Sequence, residues 1–394
     1  MPGAAIVAAA LTDHSSRYIG IYVDGVDVSG EPAASPRYAV PDSSISINEM
    51  GPDGVSSMDF TIECTTALPI TVLDGAEVRF DYLALTPFYR YFRGWVDHVD
   101  YENMDGDIGT RFKVRCTGIE AALDWCVIPS DVVIPSGTDP GIGVQSLVAQ
   151  ATGNVLGVLN ASGSGTDTST QASPVSTGTS PTNFTQNAIT VSAGTTLREG
   201  IRQITGQSQT GSGYSATVDF WGGLRYYSTL ADSVTITVDN DPPVNGPGEN
   251  TTYGIDASQV RQVVVKGTGV TATVSDGTGK PGATAVLVDS TITTLAAAQQ
   301  AGAGYLRQYA SAIRGQFTYT DYLGGVVGIH AFQLFAGIAD ARLGLIGTTQ
   351  QVSALARSNF HTGGGLKEDV VFSFGGKPPS VTQLTRQLTR TTLS

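Results

Sequence analysis

Five carboxylates crowd one short stretch: Asp97, Asp100, Glu102, Asp105 and Asp107 follow the aromatic run FYRYFRGWV and surround His98. Two carboxylates at a suitable separation are all that glycoside hydrolysis requires, one to protonate the leaving oxygen and one to act as nucleophile or base. Acids on the solvent side of a strand and its following turn also hydrate a surface, and that is the stronger reading here. Other chemistries lack their spacing. SGSGT (162 to 166) and GQSQTG (206 to 211) miss the G-x-S-x-G order of a strained nucleophile turn. His14, His98, His330 and His361 never approach H-x-x-x-H spacing. VDNDPPVNGPGEN (238 to 250) offers oxygen ligands without the D-x-[DN]-x-[DN]-G order of a calcium loop. GTGVTATVSDGTGK (267 to 280) does not lie between a strand and a helix, so it reads as a hairpin rather than a phosphate cradle. The expectation is no catalytic, cofactor-binding or metal-binding residue, no cofactor and no enzyme.

The rest of the composition bounds what must hold such residues. A chain of 394 residues exceeds one comfortable core. Charged residues make up 14% and glycine numbers 48, in a background rich in Thr, Ser, Val and Ala, which favours strands and turns. A formal charge of −13 with 22 scattered Lys and Arg argues against wrapping a nucleic-acid backbone. Cys64, Cys116 and Cys126 show no C-x-x-C spacing and read as buried free thiols. The run PGAAIVAAAL has no basic residue before it and makes a poor signal peptide, and no stretch reaches the roughly 18 apolar residues of a spanning helix, so no membrane anchor is expected.

Alternation places the strands. RYIGIYVDGVDV (17 to 28) turns at Asp24-Gly25; Ile45 and Ile47 precede a GPDG turn, and Met58, Phe60 and Ile62 follow it; Val78 with Phe80, and Phe112 with Val114 and Cys116, continue the pattern. Within 88 to 103, Arg90, Arg93 and Asp97 are expected at an edge or interface. After Gly94, Trp95, Val99 and Tyr101 are expected on the core face, against Val96, His98 and Asp100 on the solvent face. ASGSGTDTSTQASPVSTGTSPT (161 to 182) has one charge and nothing larger than Gln, and reads as a surface loop or linker. Thr196 and Glu199 form a capping box ahead of Leu197, Ile201 and Ile204, and a hairpin follows at 213 to 228. Strands are expected at 234 to 239, 259 to 276, 315 to 322, 324 to 336, 348 to 357 and 368 to 376, with a helix at 293 to 314. Leu295, Tyr305, Leu306, Tyr309 and Ile313 mark its buried stripe, and Gly302 and Gly304 call for close packing against a neighbour. Val381, Leu384 and Leu388 suggest an amphipathic tail.

The order of these pieces resembles bacteriophage tail-tip and baseplate hub proteins, the minor tail proteins of long-tailed phages. LDGAEVRFDY, then YRYFRGWVDHVDYE with its F-x-G-x-V at Phe92, Gly94 and Val96, then TRFKVRCTGIEAALD, is similar to their opening domain. TTLREGIRQITGQSQTGSGYSATVDFWGGLRYYS resembles their helix-plus-hairpin domain, VRQVVVKG and the alanine-rich helix follow, and EDVVFSFGGKPPSVTQL resembles their closing strand and tail. The resemblance implies a mainly β fold with small α+β parts: two β-barrel-like, tail-tube-related domains with an inserted small α+β domain. The boundaries expected are 1–125 for the first barrel-like domain, 126–192 for an insertion carrying the 161–182 loop, 193–232 for the helix-plus-hairpin domain, and 233–394 for the second barrel-like domain with the C-terminal tail. It further implies a homotrimeric ring at the distal end of the tail tube, assembled in the host cytoplasm, that closes or gates the DNA channel. Implied partners are the distal tail protein ring or tube protein, the tape measure protein and a central fibre or tip protein. No peptidase or lysozyme module follows, so no wall-degrading role is expected. The rival reading is a β-rich receptor- or carbohydrate-binding tail protein, with Trp221, Tyr226 and Tyr227 stacking on sugar rings.

Overall fold

Asp24 and Gly25 both take positive φ, 47° and 80°, the backbone twist that a two-residue hairpin between right-twisted strands demands. They join β1 (Ile19–Val23) to β2 (Val26–Asp27). The computed structural model describes residues 19–29, 38–41, 44–50, 54–64, 73–83, 89–103, 110–138, 140–151, 188–206, 214–218, 220, 224–228, 234–239, 251–255, 260–290, 292–309, 313–322, 331, 334–340, 345–361 and 367–374. The expected 161–182 loop and C-terminal tail, together with Asp105, Asp107, His14, His330, Trp221 and 240–250, lie outside the described residues.

After the first hairpin come β3 (Tyr38–Ala39), β4 (Ser46–Met50), β5 (Ser57–Cys64), β6 (Glu77–Tyr82), β7 (Tyr89–Asn103) and β8 (Thr110–Gly118). A 3-10 turn at Ile119–Ala121 leads into the short α1 (Ala122–Trp125), then β9 (Val132–Ile134), α2 (Pro140–Gln150), β10 (Ile189–Val191), α3 (Leu197–Gly206), β11 (Tyr214–Val218) and β12 (Leu224–Ser228). The remainder is β13 (Val234–Asp239), β14 (Thr251–Ile255), β15 (Val260–Gly267), β16 (Val270–Ser275), β17 (Ala283–Val288), α4 (Leu295–Tyr309), β18 (Ile313–Tyr322), β19 (Leu334–Asp340), β20 (Leu345–His361) and β21 (Lys367–Phe374). The chain is mainly β, as its composition requires.

One sheet of 14 strands carries the architecture, in the order β14-β18-β21-β20-β4-β5-β8-β7-β6-β1-β2, with β3 on β5, and β13 reaching β20 through β19. Among the described strands its N-terminal and C-terminal runs meet at one antiparallel seam, where Ile47 to Met50 of β4 pair with Arg357 to Ala354 of β20. The middle segments pack beneath the N-terminal run. β9 pairs with β10, α2 lies on α3, and Leu197, Ile201 and Ile204 join Phe60, Phe92, Phe112 and Val114 in one core. The Thr196 hydroxyl accepts the Glu199 amide at 3.4 Å, as the capping spacing requires.

A second core lies between α4 and the three-stranded sheet β16-β15-β17. Its helix corrects the sequence reading. α4 ends at Tyr309, and Ile313 opens strand β18 instead of closing the helical stripe. Leu295 is 54% exposed, while Ala297, Ala298, Ala301 and Leu306 face the sheet. Small residues win this face because the helix sits close to the strands: a Cβ on Gly302 would lie 2.7 Å from a Val274 methyl. The expected close packing at that glycine is therefore present. The 324–336 strand is found later, at Leu334–Asp340, with 323–330 outside the described residues.

Two register breaks shape β7, the strand that holds the acidic cluster. On the β6 side, Phe80 faces Phe92 and Asp81 faces Arg90, which leaves Tyr91 as the extra residue. On the β8 side, Val96 faces Cys116 and His98 faces Arg115, which leaves out Asp97. Each bulge reverses the inward-outward alternation beyond it. The expected faces hold at Val99, which packs on the core, and at His98 and Asp100, which are exposed; they are corrected at Val96, which is 7% exposed and belongs to the core, at Trp95, which is only partly buried, and at Tyr101, which is 51% exposed with its ring tilted against Phe112.

Candidate functional site

The acidic stretch of β7 forms the outer row of a charge ladder. Arg111, Lys113 and Arg115 of β8 all point to solvent between acids contributed by β5 and β7. Arg111 meets Glu63 at 2.7 Å and Glu102 at 3.9 Å, Lys113 meets Glu102 at 3.6 Å, and Arg115 meets Asp59 at 3.0 Å. Hydrogen bonds donated to Glu63 and Asp59 hold the Arg111 and Arg115 guanidiniums above their ordinary value, with Asp100 and Asp97 adding to the field at Arg115. Glu102 is thus shared by two bases and Arg111 by two acids, and Asp59, Glu63, Asp97, Asp100 and Glu102 outnumber the three bases. Such a face is hydrated and mildly anionic. It is poorly suited to proton transfer, because its carboxylates are exposed and tied to cations rather than set against one another.

His98 and Asp100 stand 3.2 Å apart, both well exposed. No third group orients the imidazole among the described hydrogen bonds, and no nucleophile shares it. The pair solvates the strand. Replacing both by asparagine is expected to move the melting temperature by less than about 2 °C. Scanning calorimetry of the double variant checks this, and a larger loss would mean that the pair braces the sheet.

Of the residues expected at an edge or interface, Asp97 is exposed, Arg93 is largely covered and pairs with Glu77 at 2.6 Å, and Arg90 lies inside. Arg90 is 2% exposed and makes a two-point contact with Asp81, at 2.7 and 3.3 Å. The bulge at Tyr91 is the cause, because it brings Arg90 directly opposite Asp81 and swings Tyr91 toward the C-terminal run. There the Tyr91 hydroxyl donates to Glu368 at 3.1 Å, and the Arg357 guanidinium lies 4.6 Å above its ring. Arg357 also donates to Glu368 at 2.7 Å, and both side chains are sealed from solvent. Burial pulls the Arg357 value down, but Glu368, Tyr91 and Glu49 together hold it above the ordinary one. Glu49 accepts the Ala331 amide at 2.9 Å, which ties β4 to the C-terminal part of the chain. Phe360 closes the box against Phe80 and Tyr91. This is a structural joint between the two runs of the sheet.

A second buried polar cluster joins the helical segments to the N-terminal run. Arg198 of α3 reaches Asp124 at 2.8 Å and the Glu120 carbonyl at 2.7 Å. The Glu120 carboxylate accepts the Ser56 hydroxyl at 2.6 Å. Cys116 and Cys126 are free and buried, and burial pushes both thiols up, away from reactivity. The Cys64 side chain lies outside the described residues. Among the described residues no group of His, Cys, Asp and Glu could hold a metal ion, and no helix is long and apolar enough to cross a membrane.

Sequence reasoning found the solvent-facing acids of β7, and missed both the bases that pair with them and the two buried clusters. At the joint a signal was available, as charges at core parity: Glu49 follows Ile45 and Ile47, Arg357 follows Leu355, and Glu368 precedes Val370 and Phe372.

No protein-family model matches the chain, and no curated protein matches it. Solved structures do. The chain is similar to a tail protein from Neisseria meningitidis MC58, at 12% identity and a TM-score of 0.60, over 91% of this chain and 96% of that one. It is similar to the 43 kDa tail protein of prophage MuSo2 from Shewanella oneidensis, at 14% identity and 0.57, over 91% and 97%. It is similar to the prophage tail protein gp18 of Listeria monocytogenes EGD-e, at 10% identity and 0.56, over 96% and 100%. Matches that run nearly end to end in both chains mean that this protein has the fold of these phage tail proteins.

Proposed function

We propose that the chain is a structural virion protein that forms a trimeric hub ring at the distal end of a phage tail tube, joins the tube to the tip or fibre apparatus, and closes or gates the DNA channel. The observation that carries this reading is the end-to-end likeness to solved tail proteins. The two-run sheet supports it: residues 1–125 and 233–394 would supply two tube-related units per chain, so three chains would present six units to a six-fold tube. Residues 126–192 and 193–232 would be carried between them. The anionic ladder on β5, β8 and β7 suits the wall of a channel that must pass DNA without binding it. Homotrimer contacts, the distal tail ring or tube protein, the tape measure protein and a central fibre are the proposed partners. No catalytic, cofactor or metal role is assigned to any residue.

Cryo-electron microscopy of the intact tail tip tests the proposal. Three copies around the tail axis, with the ladder facing the lumen, are expected. Six copies in a ring, or a single copy on a side fibre, would overturn it, and the second result would favour the receptor-binding alternative.

A further inference from the structure

Glu120 is the buried acid of the GIEAALD segment. It is 5% exposed and sits on the 3-10 turn that leaves β8. Gly118 makes room for it: a Cβ there would collide with the Glu120 carboxylate, so the glycine is what lets the acid fold back over the strand end. One carboxylate oxygen accepts the Ser56 hydroxyl at 2.6 Å, and Ser56 in turn accepts the Met50 amide at 3.3 Å. The other oxygen is buried and, among the described residues, has no hydrogen-bond partner. A buried charged oxygen without a partner is costly, whereas a protonated one is far less so.

The surroundings sharpen that difference. β7, α1 and β11 pack on the turn, Arg198 of α3 donates to the Glu120 carbonyl, and the Gly118 amide donates to the Ser56 carbonyl at the start of β5. Among the described residues, the charged groups acting on the carboxyl are Glu49 from β4, which disfavours ionisation, and Arg198 from α3, which favours it. Arg198 is itself engaged by Asp124 of α1 at 2.8 Å and by the Gly54 carbonyl at 3.4 Å. Burial is the largest influence and lifts Glu120 to about 7. The folded state therefore holds this proton more tightly than an opened state does. Stability is greatest below the ordinary glutamate range and is lost as pH rises through about 7.

We propose that Glu120 is a proton-operated latch between the N-terminal run of the sheet and the helical segments: protonated, it seats the 118–125 turn and α3 against β4 and β5; ionised, it loosens them. The latch does not depend on the tail-hub reading, because every group in it belongs to one chain.

Hydrogen exchange of the full-length protein between pH 5.5 and 8, corrected for the intrinsic rate, tests the latch. In the wild type, opening at 118–125 and 197–206 should increase roughly tenfold or more across that range, while β15 to β17 stay level. Glu120→Gln, which keeps the shape and cannot ionise, should abolish the rise. Ser56→Ala removes a hydrogen bond that favours the ionised form and should move the midpoint to higher pH. A flat wild-type profile, or a Glu120→Gln profile that still rises, would overturn the proposal. Should Glu120→Gln not fold, an unmoved Ser56→Ala midpoint would overturn it as well.

Discussion

Arg357→Met is expected to destabilise the main sheet by about 3–5 kcal/mol, the usual consequence of removing one partner from a fully buried ion pair. Arg357 and Glu368 are 1% and 0% exposed and 2.7 Å apart, so water cannot replace the lost guanidinium. The same substitution removes a cation from the Tyr91 face and leaves that ring's hydroxyl as a donor to a carboxylate that has lost its arginine. The control is the double variant Arg357→Met with Glu368→Leu. Apolar pairs of similar volume commonly match or exceed a buried ion pair in stability, so the double variant should recover most of the loss. Denaturant midpoints of the two variants make the comparison. A single variant as stable as the wild type would mean that the pair contributes nothing to the joint. A double variant as weak as the single one would assign the loss to packing rather than to a stranded charge.

That joint marks the limit of what the sequence discloses. Strand positions are legible because alternation is a local property: Ile45 and Ile47, Met58, Phe60 and Ile62, and Phe112, Val114 and Cys116 are all core residues, as their spacing requires. Gly302 is legible as a packing glycine, since a helix tolerates the loss of propensity only where a neighbour comes close. The face assignment in β7 fails because a bulge belongs to two strands at once. Nothing in RGWVDHV says that β8 will skip Asp97, so one alternation cannot serve both sides of it: counted back from Val99, which packs on the core, it puts Val96 on the wrong face. The helix expected at 293 to 314 is too long for a related reason. Ile313 fits the helical stripe, but pairing with Ile255 of β14 claims it for a strand. The ladder of β5, β8 and β7 is visible as an acid-rich stretch, whereas its bases lie further along the chain and become neighbours only through strand register. The Arg357 box is further still from local rules, since Tyr91 and Glu368 are separated by 277 residues.

Gly94→Ala is expected to cost about 3 kcal/mol, at the upper end for inserting one carbon into a filled core. Gly94 pairs with Gly118 across β7 and β8 and with Val78 across β6, so both of its flanks are fixed by ladders. A Cβ there would strike the Thr117 carbonyl and come within 2.9 Å of the Phe92 ring. The carbonyl belongs to backbone already committed to the sheet and cannot yield without moving β8. The ring cannot yield easily either, because Phe92 is fully buried and packs on Phe220 at 5.7 Å. The F-x-G-x-V pattern thus has a physical content: Phe92 and Val96 point inward on either side of a glycine whose missing side chain is replaced by the phenylalanine ring. Its ladder partner Gly118 is filled in the same way by the Glu120 carboxylate, so this paired glycine site is packed by two side chains that each fold back from a nearby residue. Gly75→Ala is the comparison. Gly75 has φ of 65° but nothing within 4 Å of the methyl that alanine would add, so only the left-handed backbone is penalised, by about 1 kcal/mol. Denaturant midpoints should therefore rank wild type above Gly75→Ala, and Gly75→Ala well above Gly94→Ala. Equal losses at the two positions would show that β7 and β8 can part at Gly94, and that the close approach of the strands there is not what the motif preserves.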